Sequence, residues 1–64
     1  MKVLVEQRRK GFVVRKARDG ETSTRTRLVV EAPSAECVRG ILRLGEIKKY
    51  PLRSVVLHTF PVVA

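Results

Sequence analysis

Cationic and hydroxyl side chains are the residues of this chain whose types and spacing suit a chemical task, and they concentrate between positions 8 and 27. The segment from Arg15 to Arg27 reads RKARDGETSTRTR, with an Asp-Gly pair near its centre. Guanidinium, ammonium and hydroxyl groups are donors that proteins use to contact phosphate oxygens. The candidate partner-binding residues of this region are therefore Arg8, Arg9, Lys10, Arg15, Arg18, Arg25 and Arg27.

Residues that support catalysis or metal binding are few. His58 is the single histidine, Cys37 is the single cysteine, and the six acidic residues are dispersed along the chain. A lone strand histidine is usually structural or a surface residue, and a helical cysteine beside Val38 and Ile41 is expected to be inert packing. No glycine-rich phosphate loop occurs. The sequence predicts a protein that is not an enzyme, with no metal site and no cofactor.

Positive charge is the strongest global feature of the chain. The net charge is +8, and residues 1–30 hold nine Lys or Arg against three acids, whereas residues 31–64 hold five against three. A basic half attracts phosphates, an acidic protein face or an anionic membrane. Hydrophobic residues make up 44% of the chain, which is typical of a globular protein rather than a disordered one. We therefore expect a folded protein with an anionic partner.

Cysteine content and hydropathy bear on the compartment. A single cysteine excludes an internal disulfide bond and favours a reducing environment. The start MKVLVEQRRKG has no apolar run long enough for a signal peptide, and the C-terminal SVVLHTFPVVA is too short and interrupted to cross a bilayer. The sequence predicts a cytoplasmic protein that does not engage a membrane.

The Asp-Gly pair predicts a hairpin whose faces depend on the length of the loop. A three-residue loop at positions 18–20 puts Phe12 and Leu28 on one face of the sheet and Arg25 and Arg27 on the other. A two-residue loop would set Phe12 opposite Arg27. Because a one-residue slip exchanges the two faces, the hydrophobic pattern favours the three-residue loop.

A change of phase precedes this hairpin. Val3 and Val5 occupy odd positions, whereas Phe12 and Val14 occupy even ones. Gly11 can produce the change either as a bulge inside one long strand or as a turn between two short strands. We favour the bulge.

A helix and a last strand complete the predicted elements. The helix covers about residues 35–44, with Ser34 as its N-cap and Gly45 as a left-handed stop. The last strand covers about residues 53–60, and Pro61 ends it.

These elements predict one small domain, residues 1–64, with its hairpin at about residues 2–31. The fold class is α+β with the order β-β-α-β. An antiparallel sheet of about three strands carries one helix on one face.

Aromatic residues are absent from the predicted basic face. Phe12 is assigned to the buried face, and Tyr50 and Phe60 lie outside the hairpin. Without a stacking platform, recognition of the backbone or shape of a nucleic acid is favoured over reading of single-stranded RNA bases.

Two other interpretations fit the same residues. Strands rich in Arg and Thr also make an ordinary solvated sheet face. The last strand, with Val56, His58 and Phe60 on one side, would alternatively add to the sheet of another protein or simply pack in the core.

From Phe12 to Ala64 the chain resembles the small strand-strand-helix-strand inhibitors of host RNA polymerase made by podophages. The shared features are a hairpin, the helix start EAPSAE and a final segment ending FPVVA. This resemblance implies a stoichiometric blocker that docks through its sheet edge and its arginines. The residues it points to by position are Arg25, Arg27 and Arg53.

Two further resemblances point to nucleoprotein partners. The VEAPSAE segment and the spacing from Gly45 through Arg53 to Leu57 are similar to a small basic archaeal large-subunit ribosomal protein family. The stretch GFVVRKARDGETSTRTRLVV resembles the arm-type DNA-binding domains of phage integrases, which have three strands and then a helix. The predicted strand after Gly45 departs from that order.

The functional expectation is a non-enzymatic, small basic protein that engages DNA or RNA, or a nucleoprotein machine, through an Arg-rich hairpin. The alternative is a phage-type inhibitor or adaptor that docks on an acidic face of a host protein such as RNA polymerase.

Overall fold

The computed structural model describes residues 1–63 and contains three strands and two helices. The elements are β1 (Lys2–Arg8), β2 (Gly11–Lys16), β3 (Arg27–Glu31), α1 (Ala35–Ile47) and α2 (Leu52–Thr59). The strands form one antiparallel sheet in the order β2-β1-β3. The predicted α+β class and antiparallel three-stranded sheet are confirmed. The predicted single helix and the order β-β-α-β are wrong.

β1 and β2 form a tight hairpin that turns at Arg9 and Lys10. The register sets Val5 opposite Val14, so odd positions of β1 face even positions of β2 and the apolar residues of both strands share a face. Gly11 follows the turn with a φ of +141°, a backbone conformation that favours glycine. The bulge favoured at Gly11 is therefore wrong, and the turn between two short strands is the correct alternative.

The segment between β2 and β3 does not close the predicted Asp-Gly hairpin. The chain does turn there, since Gly20 has a φ of +85° and Glu21 N donates to Arg18 O at 3.1 Å. β1 nevertheless lies between β2 and β3, so residues 17–26 cross from one edge of the sheet to the other. β1 and β3 each hold three consecutive buried residues. β1 has a strand on both edges, and the free edge of β3 is covered by the C-terminal segment, where Val63 N donates to Val29 O at 2.7 Å.

The inner face of the sheet packs against the helices, as the alternation of residues predicts. Phe12 is half-buried against the core and Leu28 is buried, whereas Arg15 and Arg27 lie on the opposite face. The buried cluster on the inner side consists of Val3, Val5, Val14, Leu28, Val30, Ala32, Val38, Leu42, Leu52, Val56 and Phe60.

The outer face of the sheet also has buried residues, which the sequence did not lead us to expect. Leu4 is 2% exposed and Val29 is 0% exposed. The crossing segment, residues 17–26, is anchored along this side: Val29 N donates to Ser23 Oγ at 2.9 Å, and Ser23 Oγ donates to Val63 O at 2.6 Å. Because β2 and β3 lie on opposite edges of β1, the connection between them covers this face.

α1 begins as predicted and ends later than predicted. Ser34 is the N-cap, and its side-chain oxygen accepts a hydrogen bond from Cys37 N at 3.1 Å. The helix continues past Gly45, which is buried inside it, to Ile47. The left-handed residue is Lys49, with a φ of +60°. Gly45 is therefore not the helix stop, because the chain keeps helical hydrogen bonding where the glycine packs against α2.

The end of α1 is a Schellman motif with an unfavourable residue in its left-handed position. Tyr50 N donates to Gly45 O at 2.8 Å and Lys49 N donates to Glu46 O at 3.0 Å. Glycine is the usual occupant of the left-handed position because other residues carry a Cβ that costs energy there.

Replacing Lys49 by glycine is therefore expected to stabilise the protein. The expected gain in the free energy of unfolding is about 0.5–1 kcal/mol, since relief of the left-handed strain outweighs the added freedom of the unfolded chain. Urea denaturation measures it. Lys48→Gly, at the neighbouring position with a φ of −85°, is the control and should destabilise. Equal effects of both variants would contradict this account of the helix end.

The predicted last strand, about residues 53–60, is instead α2. Leu52, Val56 and Phe60 are buried at intervals of four, which places one stripe of a helix on the core. Pro51 is the N-cap, and the carbonyl of Pro51 accepts from Val55 N at 3.1 Å. A short apolar run fits a strand or a buried helix equally well by composition, and packing of Leu52, Val56 and Phe60 on the core decides for the helix. Within residues 1–63, neither helix is long and apolar enough to span a membrane.

Candidate functional site

An open cleft lies at the end of the sheet where β1 turns into β2. We call it the arginine cleft, because five arginines from three segments line it: Arg8, Arg9, Arg25, Arg27 and Arg53. Its volume is about 530 Å³. The apolar part of its lining comes from Val5, Leu28, Leu52 and Val56. The cleft is therefore a basic rim over an apolar base.

Sheet register and α2 together bring these arginines to one place. Arg27, at the start of β3, lies opposite Glu6 of β1, two residues before Arg8. α2 begins beside the crossing segment, where Arg53 Nη1 donates to the carbonyl oxygen of Arg25 at 3.3 Å. The site depends on the observed topology, because a hairpin of β2 with β3 would not place the start of β3 beside β1.

Positive charge in the arginine cleft is only partly balanced. No acidic side chain within residues 1–63 lines it. From outside, Glu6 Oε1 accepts from Arg8 Nη2 at 3.1 Å, and Glu21 Oε2 lies 3.6 Å from Arg27 Nη1. In the part of the chain that the structure describes, the cleft arginines without an ion pair are Arg9, Arg25 and Arg53.

Arg15 has a structural role on the outer face instead of a place in the cleft. Its two guanidinium nitrogens donate to the two carboxylate oxygens of Glu21 at 2.9 and 2.8 Å. Arg18 N donates to the same carboxylate at 2.6 Å. The hydrogen bonds from Arg15 and then Arg18 lower the pKa of Glu21 to about 2, and the same pairing with Glu21 raises the pKa of Arg15. Glu21 thus fastens the crossing segment to β2.

Acid is therefore expected to loosen the crossing segment. The pKa of Glu21 falls from an ordinary value of 4.5 to about 2 on folding, so its contribution to stability is complete above pH 4.5 and is lost as the pH falls towards 2. Glu21→Gln should lower the urea midpoint at neutral pH and flatten the decline between pH 4.5 and 2. Glu46→Gln, which alters an exposed carboxylate, is the control and should retain the decline. An unchanged pH profile in Glu21→Gln would contradict the role assigned to this carboxylate.

The remaining predicted residues lie away from the arginine cleft. Arg18 lies at the opposite end of the sheet, in a cleft that also includes Lys2 and Lys16. Lys10 lies on the other side of the β1–β2 turn. Arg25 is exposed in the crossing segment and is not on the sheet face to which it was assigned, because β3 begins only at residue 27.

A second basic cleft accompanies Lys10, and sequence reasoning missed most of it. It lies between the β1–β2 turn and α1, and its lining is Lys10, Gly11, Phe12, Arg39, Arg43, Glu46 and Ile47. Arg39 Nη2 donates to Val14 O at 2.9 Å, which fixes this arginine against the edge of β2. Arg39 and Arg43 are four residues apart, a spacing that puts both on one side of a helix. From the sequence, this spacing was the signal that could have identified Arg39 and Arg43 as a basic pair.

Residues suited to catalysis do not converge in the described part of the chain. Cys37 is exposed and free on α1, so the prediction that it packs in the core is wrong. His58 is exposed on α2. Within residues 1–63, no group of three or more His, Cys, Asp or Glu side chains comes together in a way that would hold a metal ion. The arginine cleft is the arrangement from which function is to be inferred.

Comparison with known proteins adds no assignment. The chain matches no family model, and it shows no significant similarity to a curated protein or to a solved structure. The last strand in the element order of the phage inhibitors corresponds here to a helix, Leu52–Thr59.

Proposed function

We propose that this protein binds the phosphate backbone of nucleic acid through the arginine cleft and does so without catalysing a reaction. The observation that carries the proposal is that five arginines line one cleft, and that no acidic side chain of residues 1–63 lines it.

Arginine suits this partner for geometric reasons. The planar guanidinium donates in a fork that matches two oxygens of a phosphate, and it stays charged at every physiological pH. Thr26 and Gln7 also line the cleft and add neutral hydrogen-bonding groups. The carboxylates of Glu6 and Glu21 touch the cleft arginines only from outside, so an incoming phosphate meets a net positive surface.

The positions of the aromatic residues favour contact with the nucleic-acid backbone over base stacking. Phe60 is buried, Phe12 is half-buried against the core, and exposed Tyr50 lines a different cleft beside α2. No aromatic side chain among residues 1–63 lines the arginine cleft. Since base stacking needs an aromatic platform, the proposed contact is with the backbone.

Titration at several salt concentrations tests the proposal. Labelled DNA and RNA oligonucleotides, single-stranded and duplex, are titrated with the protein while fluorescence anisotropy is recorded. Five phosphate contacts predict a slope of log affinity against log salt of about −4.5 for duplex DNA and about −3.5 for a single strand. Absence of binding to all four at about 50 mM salt, where such contacts are strong, would overturn the proposal.

A protein partner is the competing outcome of the same experiment. A basic face also complements an acidic protein surface, such as one on RNA polymerase. If no oligonucleotide binds at low salt, while a purified acidic partner is retained after nuclease treatment and released by Arg25→Ala/Arg53→Ala, the phage-type inhibitor alternative replaces the proposal.

A further inference from the structure

The β1–β2 turn contributes one residue to the lining of each of two basic clefts. Arg9, the first residue of the turn, lines the arginine cleft, and Lys10, the second, lines the second basic cleft. Both residues are exposed. The two clefts therefore adjoin at the turn and lie on opposite sides of it.

Both clefts are positively charged, and the arginine cleft has the larger excess of positive charge. The arginine cleft has five arginines and no acid in its lining, and the second basic cleft has Lys10, Arg39 and Arg43 against Glu46. Arg39 is held by Val14 O, whereas Arg43 is exposed and free to reach a ligand. A partner that fits both sides must offer two rows of anions with a gap between them.

Building on the proposed function, we infer that the preferred partner is B-form duplex DNA, with the Arg9-Lys10 turn in the major groove and one basic cleft on the phosphates of each strand. The major groove is about 12 Å wide and admits a two-stranded β-ribbon, whose strands are about 4.8 Å apart. Donors on the turn then face base edges, and the clefts face the two backbones.

Other nucleic acids fit this arrangement less well. The major groove of an A-form RNA duplex is deep and narrow, so a β-ribbon cannot enter it. A single strand has one backbone and would occupy one cleft only. Phe12 is the one aromatic residue in the lining of either cleft within residues 1–63, and it packs against the core instead of offering a free ring.

Matched variants test the two-sided contact. Arg43→Ala removes one exposed charge from the second basic cleft, and Arg18→Ala removes one exposed charge from the far end of the sheet. The probes are a DNA duplex of about two helical turns, its separate strands and an RNA duplex of the same sequence. We expect the wild-type protein to bind the DNA duplex at least roughly 10-fold more tightly than either alternative. We expect Arg43→Ala to lower that affinity roughly 8-fold at about 0.1 M salt, and Arg18→Ala to change it less than 2-fold.

A separate experiment tests whether the Arg9-Lys10 turn lies in the major groove. Netropsin, which occupies the minor groove, should leave binding of the protein to the DNA duplex unchanged. Displacement by netropsin, equal affinity for a single strand, or equal effects of Arg43→Ala and Arg18→Ala would overturn the inference. Each of these outcomes leaves the proposed function intact, provided that Arg25→Ala/Arg53→Ala still weakens binding. Loss of binding to every nucleic acid would overturn both.

Discussion

Replacing Arg25 and Arg53 together by alanine is expected to lower the affinity for nucleic acid roughly 60-fold at about 0.1 M salt. Each arginine that neutralises a phosphate contributes about 0.9 to the salt slope for duplex DNA, so the slope should become shallower by about 1.8. The two side chains suit this test because neither has an acidic partner in the described part of the chain. Fluorescence anisotropy over a range of salt concentrations measures both quantities.

The control for this variant is Lys16→Ala/Arg18→Ala. It also removes two positive charges, but from the opposite end of the sheet, so the two double variants have the same net charge. Both double variants should retain their stability within about 1 kcal/mol, since all four side chains are exposed. Equal losses of affinity would show that binding follows overall charge and that the arginine cleft has no special role.

The faces of the strands were predictable from the sequence, and the order of the strands was not. Alternation of apolar and charged residues assigns Phe12 and Leu28 to the inner face and Arg27 to the outer face, and the structure agrees. Alternation says nothing about which strands are neighbours. The observed order buries Leu4 and Val29 on the outer face, and this burial requires the crossing segment as cover.

The last element, α2, shows a second limit of prediction from the sequence, which concerns the type of secondary structure. Residues 52–60 contain apolar side chains at both two-residue and four-residue intervals, so a strand and a helix each leave a plausible buried face. Burial of Leu52, Val56 and Phe60 decides for the helix. The local sequence does not distinguish a strand from a helix here, because the choice depends on packing against α1 and the sheet.

The candidate site shows the same division between composition and topology. Charge identified seven of the eight candidates and a family resemblance pointed to the eighth, Arg53; five of the eight line one cleft. Charge could not show that Glu21 binds Arg15, or that Arg39 and Arg43 on α1 join Lys10. Those contacts depend on the path of residues 17–26 and on where α1 lies along β2.

The two glycines of α1 are expected to respond in opposite ways to larger side chains. Gly40 is exposed with no atom within 4 Å of an added Cβ, so Gly40→Ala should stabilise by about 0.5–1 kcal/mol through helix propensity alone. Gly45 is buried, and a Cβ there would lie 2.9 Å from Cγ2 of Val55. Gly45→Leu should therefore destabilise by about 1–3 kcal/mol through overpacking between α1 and α2.

Thermal unfolding measures this contrast, since 1 kcal/mol shifts the Tm of a domain of this size by about 4–8 °C. The larger loss matters for function because α2 carries Arg53, whose guanidinium reaches Arg25 O at 3.3 Å. A leucine at position 45 that pushes α2 away should weaken nucleic-acid binding as well as stability, whereas Gly40→Ala should leave binding unchanged. If Gly45→Leu is as stable as Gly40→Ala, the helices do not approach at Gly45, and packing of α2 against α1 is not what positions Arg53 at the cleft.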